Sequence, residues 1–242
     1  MKFIALTLLS FLIIPAQASK VCKKHTIKVA VVDTGLDLND PRFKDHLCKT
    51  GHKNFVNDEP IDDFNGHGTF VAGLIEKYAG NTDYCLLIYK YYKESASGHY
   101  NLRRELWAFQ EAIDNGADII NFSSGGSEFN EVEANIIKSH PKVTFVVAAG
   151  NDAVSLDIPG NNFYPASLFY DNIEVVENID ENGALSPSSN YGKRVKNKEM
   201  GENVVSYMPG GLTGVMSGTS ISAAIFSGKL VDKRSRSCEY RR

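Results

Sequence analysis

Three short segments carry side chains that could together perform nucleophilic catalysis. Asp33 ends the apolar run VAVVD and precedes Thr-Gly, His67 stands between two glycines in NGHGT, and Ser220 lies in SGTSISA before a helical pattern. A serine hydroxyl becomes a strong nucleophile when an imidazole removes its proton, and the imidazole needs a carboxylate to fix its tautomer. The three residue types therefore predict covalent catalysis by serine, provided that the fold brings them together.

Each segment is ambiguous when it is taken alone. Asp-Thr-Gly also occurs in aspartic proteases, but those enzymes use the tripeptide twice and this chain contains it once. A lone histidine is usually structural, yet the glycines beside His67 have no side chains that could bury its ring. Ser220 has the neighbours of an ordinary helix cap. Asn151, after Ala-Ala-Gly, fits either a turn or a hydrogen-bond donor to an oxyanion.

Apolar segments alternate with helical patterns along most of the chain. Runs rich in apolar or β-branched residues predict five strands, at residues 27–33, 84–92, 117–124, 142–150 and 172–179. Helical spacing lies between them, at residues 68–79, 101–116 and 130–140. This alternation predicts a three-layer α/β fold, in which a mainly parallel sheet carries helices on both faces. Because functional groups gather at the carboxyl ends of such strands, we expect Asp33, Ser124 and Asn151 at one edge.

The order Asp, His, Asn, Ser and the segments around these residues resemble the subtilisin-like serine proteases, the subtilase or peptidase S8 family. VAVVDTGLD is similar to the aspartate motif of that family, NGHGTFVAG to its histidine motif, and SGTSISA to its serine motif. Fainter similarity is found at residues 89–100, 118–126, 163–176 and 188–192. The resemblance spans almost the whole mature chain, and it implies the subtilisin-like fold and peptide-bond hydrolysis.

The resemblance also implies a role for each matching residue. Ser220 would attack the scissile carbonyl, His67 would act as general base and then as general acid, and Asp33 would orient His67. The Asn151 side-chain amide and the Ser220 backbone N–H would hold the oxyanion. Ser123, Ser124 and Gly125 would pair with the backbone of the substrate peptide. Ala149 and Gly150 would line the pocket for the residue before the cut. Tyr100 would lie at a more distant subsite.

The chain departs from its family at several positions. Arg42 stands where many relatives carry a calcium-binding aspartate, and a cation there is incompatible with a site built from oxygen ligands. We therefore expect no metal at that place and no cofactor. Phe70 replaces a residue that is often histidine, which we expect to alter packing only. Ser222 and Ala224 replace an alanine and a proline of the family, and the missing proline could change the direction of the Ser220 side chain.

The first 18 residues have the pattern of a secretory signal. A lysine precedes an apolar run of about twelve residues, which is too short to span a bilayer, and Ala-Gln-Ala follows as a cleavage site. We predict a signal peptide at 1–18, a peptidase domain at 19–242, and a secreted or periplasmic protein. Fourteen residues between the cleavage site and Asp33 leave no room for the usual propeptide, and the C-terminal end after Ser220 is short, at 22 residues.

Composition limits the partners that we expect. The formal net charge of −3 gives no reason to expect nucleic acid or an anionic membrane surface as a partner. We predict a monomer that acts on peptide or protein substrates and does not bind a membrane after signal removal. The four cysteines lack zinc-site spacing and in an exported chain predict two disulfides, with all three pairings open among Cys22, Cys48, Cys85 and Cys238.

Two functions remain open from the sequence. A secreted serine endopeptidase is favoured, because every catalytic position holds the required residue type. The alternative is a catalytically weak or inactive subtilase-fold protein that acts as a binding or regulatory partner. The missing propeptide and the short end support that alternative, and a serine-directed inhibitor separates the two.

Overall fold

The computed structural model describes residues 25–239, without the side chains of residues 237–239. The strands within this range are β1 (Ile27–Asp33), β2 (Lys53–Asn54), β3 (Tyr84–Lys90), β4 (Ile119–Phe122), β5 (Thr144–Ala148), β6 (Ile173–Ile179), β7 (Asn197–Met200), β8 (Val204–Tyr207) and β9 (Thr213–Met216). The helices are α1 (His67–Ala79), α2 (Gly98–Asp114), α3 (Glu131–Ser139) and α4 (Thr219–Glu239). The predicted signal peptide lies outside the described residues.

β1 lies near the middle of a seven-stranded sheet. The strand order is β2-β3-β1-β4-β5-β6-β7, and each of these strand pairs is parallel. All seven strands therefore end at the same edge of the sheet. Asp33 is the last residue of β1, and the segments that begin with Ser123 and Ala149 leave β4 and β5 at that edge. The predicted mainly parallel sheet is confirmed.

Helices cover both faces of this sheet. Alternate side chains of a strand point to opposite faces, so Val29 and Val31 of β1 join the core formed with α1 and α4. Ala30 and Val32 join the core formed with α2 and α3. Burial on both faces explains why β1 is a continuous apolar run. The arrangement is the three-layer α/β fold that the sequence predicts.

α1 and α4 approach each other closely through Gly228. A Cβ atom at this position would lie 2.7 Å from the carbonyl oxygen of Ile75, so only glycine fits there without a shift. At the start of α4, Ala224 is fully buried, and the Ser222 hydroxyl donates a hydrogen bond of 3.0 Å to the Glu199 carbonyl oxygen. The first turns of α4 are thus anchored to both α1 and the sheet.

β3, β4 and β5 end earlier than predicted, and four strands, β2, β7, β8 and β9, are not predicted. Residues 123–124 and 149–150 extend the apolar runs of β4 and β5, but they leave the sheet and form the loops described below. The sequence pattern does not predict β7, whose side chains alternate between half-buried and exposed because it is an edge strand. It also does not predict the antiparallel pair of β8 and β9.

Cys48 and Cys85 form a disulfide bond across 37 residues. The bond joins β3 to the segment that precedes β2, and it is one of the two predicted disulfides. Cys22 lies outside the described residues and the Cys238 side chain is not described, so the second disulfide stays a prediction. Between residues 25 and 239, none of the helices combines the length and the apolar character that a membrane crossing needs.

Candidate active site

Asp33 and His67 form a hydrogen-bonded pair at the carboxyl end of β1. Nδ1 of His67 lies 2.8 and 2.9 Å from the two carboxylate oxygens of Asp33. The carboxylate also accepts a hydrogen bond of 2.7 Å from the Thr34 backbone N–H and is buried, whereas the His67 side chain is 27% exposed. Asp33 therefore holds a proton on Nδ1, which leaves Nε2 of neutral His67 as a proton acceptor.

Charge and burial act in opposite directions on His67. The Asp33 carboxylate raises the pKa of His67 above its ordinary value of 6.5, and burial of the imidazole opposes this rise. The more distant carboxylate of Asp63 adds to the rise. The pair thus favours the imidazolium, the form that His67 takes when it accepts a proton.

Asp63 fixes the position of His67 relative to Asp33. Its buried carboxylate accepts hydrogen bonds of 2.8 Å from the backbone N–H groups of Gly66 and Thr69 at the start of α1. It also accepts a hydrogen bond of 2.8 Å from the Thr34 hydroxyl, next to Asp33. One carboxylate thus satisfies N–H groups that have no partner within the helix and ties them to the turn after β1.

The two glycines beside His67 are required by the backbone. Gly66 precedes α1 with a φ of 96°, a conformation that side-chain-bearing residues rarely adopt. A Cβ atom at Gly68 would lie 2.4 Å from the Gly35 carbonyl oxygen, in the turn after β1. The close contact between α1 and this turn, which sets the Asp33–His67 distance, therefore depends on Gly68.

Ser220 lies in the first turn of α4 and is bonded to the segment after β4. Its hydroxyl donates a hydrogen bond of 2.8 Å to the Ser123 carbonyl oxygen, and the Ser123 hydroxyl donates one of 2.9 Å to the Ser220 carbonyl oxygen. In the described part of the chain, no hydrogen bond joins Ser220 to His67. The Ser220 hydroxyl must therefore give up its bond to Ser123 before it can pass its proton to the imidazole.

A chain of buried hydrogen bonds continues behind Ser123. Nδ2 of Asn121 donates to the Ser123 hydroxyl at 3.0 Å, and the Ser227 hydroxyl donates to Oδ1 of Asn121 at 2.9 Å. All three side chains are buried. Because buried polar groups are stable only when they are bonded, this chain fixes Ser123, and through it Ser220, between β4 and α4.

Asn151 turns its side-chain oxygen toward α4. Oδ1 accepts hydrogen bonds from the backbone N–H of Thr219 at 3.0 Å and from the Thr219 hydroxyl at 3.1 Å. Because the oxygen faces these two donors, the Nδ2 group remains to donate elsewhere. The neighbouring Ser220 N–H lies in the first turn of α4, where backbone N–H groups have no partner within the helix. The two donors are suited to a developing oxyanion.

Asn190 holds the loop that carries Asn151. Its buried side chain donates a hydrogen bond of 3.0 Å to the Ala149 carbonyl oxygen and accepts one of 2.9 Å from the Asp152 backbone N–H. The backbone N–H of Asn190 donates to the Gly150 carbonyl oxygen at 2.8 Å. Three bonds from one residue thus fix the backbone on both sides of Asn151.

A cavity of about 250 Å³ lies beside the Asp33–His67 pair. Its lining residues are Asp33, Thr34, Asn65, His67, Tyr91, Tyr92, Ser123 and Ser124. Two of the predicted substrate-binding residues, Ser123 and Ser124, therefore lie at this cavity. Tyr100 is not among the lining residues and stands exposed in the first turn of α2, so its role at a distant subsite stays a prediction.

Arg42 makes structural contacts at the position where many relatives carry a calcium ligand. Its guanidinium pairs with the Asp40 carboxylate at 2.5 Å and donates hydrogen bonds to the carbonyl oxygens of Met208 and Leu212, at 2.7 and 2.8 Å. It also lies 4.6 Å from the ring centre of Tyr207. Across the described residues, no group of three or more His, Cys, Asp or Glu side chains is arranged to hold a metal ion.

Sequence reasoning misses the residues that hold the site in place. Asn121 and Ser227 are polar residues within apolar segments, and such a residue in a buried element is a signal of an internal hydrogen bond. Asp63 precedes the start of α1, where a carboxylate suits the helix N-terminus. Asn190 gives no comparable signal, because its partners are about 40 residues away in the chain.

Comparison with known proteins identifies the family of this chain. Residues 24–236 match the subtilase family of peptidases, peptidase S8. The chain is 34% identical over 236 residues to the major intracellular serine protease of Bacillus subtilis (strain 168), covering 89% of this chain and 70% of that protein. It is 32% identical over 223 residues to an intracellular serine protease of Paenibacillus polymyxa, covering 84% of this chain and 65% of that protein.

Solved structures share the fold. A lanthipeptide protease superposes with a TM-score of 0.76 at 24% identity, covering 88% of this chain and 75% of the other. A cold-adapted subtilisin-like serine proteinase gives a TM-score of 0.70 at 25% identity, covering 84% of this chain and 72% of the other. By class the protein is a serine-type endopeptidase. The chain belongs to the subtilase family.

Proposed function

We propose that this chain hydrolyses peptide bonds through an acyl-enzyme intermediate on Ser220. The proposal rests mainly on the hydrogen bonds between Asp33 and His67, at 2.8 and 2.9 Å, which orient an imidazole that can take a proton on Nε2. His67 takes the hydroxyl proton as Ser220 Oγ attacks the scissile carbonyl carbon, and gives it to the departing amine. Water then attacks the acyl ester with the same assistance, and the peptide acid and free Ser220 are released.

The oxyanion of each tetrahedral intermediate is held by Asn151 Nδ2 and by the Ser220 backbone N–H. The bonds from Thr219 to Asn151 Oδ1 support this role, because they fix the amide so that its donor is available. Such donors are already in position before the oxyanion forms, so they do not have to reorient during the reaction. The loss of one donor typically lowers kcat by about 10²–10³-fold.

The substrate is a peptide or protein segment in an extended conformation. Ser123, Ser124 and Gly125 follow the end of β4 and offer their backbone to the substrate as a neighbouring strand, a mode of binding that tolerates many sequences. The reciprocal bonds between Ser123 and Ser220 support this assignment, since they set the nucleophile beside the same segment. Ala149 and Gly150 line the pocket for the residue before the cut.

We also propose that the protein is exported after removal of residues 1–18 and acts as a monomer without nucleic-acid or membrane partners. The signal-like start supports export, and so does the Cys48–Cys85 disulfide, since such bonds persist in oxidising compartments. Two relatives described above are intracellular serine proteases, so the location needs its own test. Full-length chain expressed in a bacterial host should be recovered with Ser19 as its first residue, and recovery with Met1 would contradict export.

Hydrolysis of an unfolded protein, followed by mass spectrometry of the fragments, tests the activity. Ser220→Ala should lower the initial rate by at least about 10³-fold, because nothing replaces the nucleophile. Ser217→Ala is the matched control, since Ser217 is an exposed serine three residues earlier and its hydroxyl accepts a hydrogen bond from the Asn203 backbone. Cleavage that persists in Ser220→Ala and not in Ser217→Ala contradicts the assignment.

A second candidate function is peptide binding with little or no cleavage. It is favoured by one observation, the hydrogen bond from the Ser220 hydroxyl to the Ser123 carbonyl oxygen instead of to His67. If that conformation persists with substrate, the wild-type chain should bind peptides and leave them intact. The hydrolysis experiment separates this candidate from the first.

A further inference from the structure

The proposed function fixes where the side chain before the scissile bond must lie. Ser220 Oγ and Asn151 Nδ2 mark the carbon and the oxygen of the carbonyl group under attack. The backbone of the same substrate residue lies along the segment that ends at Gly125. Its side chain therefore enters the space between Gly125 on one side and Gly150, which directly precedes Asn151, on the other.

The ring of Phe163 occupies this space. A Cβ atom added to Gly125 would lie 2.6 and 2.8 Å from Cε1 and Cζ of the ring. A Cβ atom added to Gly150 would lie 2.9 and 3.0 Å from Cγ and Cδ1 of the same ring. The ring thus touches both backbone segments, with its outer edge on Gly125 and its base on Gly150, and it spans the gap between them.

The backbone around Phe163 is held in this position. Its N–H donates a hydrogen bond of 3.0 Å to the Ser167 hydroxyl, and its carbonyl oxygen accepts one of 2.7 Å from the Ser167 N–H. The next residue, Tyr164, exchanges two backbone hydrogen bonds with Gly126, at 3.0 and 2.7 Å. Phe163 also packs against the core on the α2 and α3 side of the sheet. The hydrogen bonds fix the backbone at Phe163, and the packing against the core favours this position of the ring.

We propose that Phe163 is the specificity-determining residue of this protease and limits the substrate residue before the cut to glycine, alanine or serine. This inference rests on the proposed function. A side chain no larger than that of serine fits beside the ring, whereas a leucine or phenylalanine side chain would need the volume that the ring fills. In a hydrophobic pocket, one extra or missing methylene group of the substrate changes kcat/KM by about 10–200-fold. The exclusion of a whole phenyl ring is therefore expected to be strong.

The test is a pair of peptides that differ only in the residue before the cut, alanine in one and phenylalanine in the other. The wild-type protein should have a kcat/KM at least about 100-fold higher for the alanine peptide. Phe163→Ala should reduce or reverse this ratio by a similar factor, because it opens the pocket. Phe129→Ala is the matched control, since that exposed ring packs on Tyr164 and lies outside the proposed pocket.

The wild-type ratio is decisive even if Phe163→Ala fails to fold, and Phe163→Leu provides a less disruptive second variant that should shift the ratio in the same direction. Equal cleavage of the two peptides by the wild type overturns the inference while leaving the proposed function intact. An unchanged ratio in a folded Phe163→Ala overturns it as well. If neither peptide is cleaved and Ser220 does not react with a fluorophosphonate, the proposed function fails and this inference fails with it.

Discussion

The hydroxyl of Ser227 on α4 donates a hydrogen bond of 2.9 Å to the side chain of Asn121 on β4, and both side chains are fully buried. Asn121 in turn bonds to Ser123, which is bonded in both directions to Ser220. The proposed nucleophile is therefore positioned by a polar chain that runs from the inside of α4 through the central sheet. Its position depends on residues that never touch a substrate.

Ser227→Ala tests this series of hydrogen bonds from Ser227 to Ser220. The substitution leaves Oδ1 of buried Asn121 without its donor, which should lower the free energy of unfolding by about 1–3 kcal/mol. It should also lower kcat more than it changes KM, because Ser123 and Ser220 lose support. Urea unfolding and steady-state kinetics measure the two effects. Ser235→Ala is the control, since that hydroxyl donates its hydrogen bond to the Asp232 carbonyl oxygen within α4. An equal effect of both substitutions would contradict the role of Ser227.

Asp63→Ala should separate His67 from Asp33. The substitution removes the acceptor of the hydrogen bonds that tie the start of α1 to Thr34, so we expect a loss of about 3 kcal/mol in unfolding free energy. We also expect kcat to fall by about 100-fold, the effect of a small misplacement of a reacting group. Asp62→Ala, at the neighbouring residue, should have little effect on either quantity. A normal kcat in a destabilised Asp63→Ala would show that Asp63 supports the fold alone.

The reaction rate should rise with pH as His67 loses its proton. The Asp33 carboxylate raises the pKa of His67 above 6.5, and only neutral His67 can act as base. The value of kcat/KM should therefore rise through one ionisation with a pKa above 6.5 and then level off. The same attraction stabilises the folded protein below the unfolded-state pKa of His67, and this contribution is lost as pH rises through the folded-state pKa.

Asp33→Asn provides the comparison for this profile. Without the carboxylate the pKa of His67 should fall, and the plateau of kcat/KM should fall by about 10⁴-fold, because the imidazole loses its tautomer control. Steady-state kinetics between about pH 5 and pH 9 measure both quantities. An unchanged pKa in Asp33→Asn would contradict the electrostatic role of the pair.

A buried pair of carboxyl groups should make the stability depend on pH. Glu105 on α2 and Glu133 on α3 are buried near each other, burial raises the pKa of both, and the charge of Glu133 raises that of Glu105 further. The folded state therefore holds protons that the unfolded state releases above about pH 4.5. Stability should fall as pH rises from that value, and the loss should level off above the folded-state pKa values.

Glu133→Gln should remove much of this dependence. The variant should be more stable than the wild type at about pH 8 by roughly 1–3 kcal/mol, and the difference should shrink at about pH 5. Urea unfolding at the two pH values measures it. Glu131→Gln, an exposed acid in the same first turn of α3, is the control. A pH dependence that is the same in wild type and Glu133→Gln would contradict the account of the pair.

The fold class can be predicted from the alternation of strands and helices along the chain, and the candidate site residues can be proposed because each lies in a short contiguous motif. The apolar run before Asp33 and the small residues around His67 and Ser220 carry their signals within a few positions. Phe163 is different, because nothing in its neighbours indicates that its ring will lie between Gly125 and Gly150. That relationship exists only after separate loops have folded against each other.

The polar residues that hold the candidate active site in place are also hard to predict. Asn121 lies in a segment that reads as a buried strand, and its bonds to Ser123 and Ser227 depend on how β4 and α4 pack. The binding role of Tyr100 is implied by the family resemblance alone and stays a prediction, since this residue lies outside the described cavity. Tyr91 and Tyr92 line that cavity instead, and they belong to the end of a predicted strand.

Intact-mass measurement after treatment with a serine-reactive fluorophosphonate tests the central claim most directly. The account predicts one adduct per folded wild-type chain, located on Ser220 and absent from Ser220→Ala. His67→Ala should react at least about 10³-fold more slowly, because the serine hydroxyl is a weak nucleophile without its base. A folded wild-type protein that forms no adduct, or that forms one on another residue, would contradict the claim that Asp33 and His67 activate Ser220.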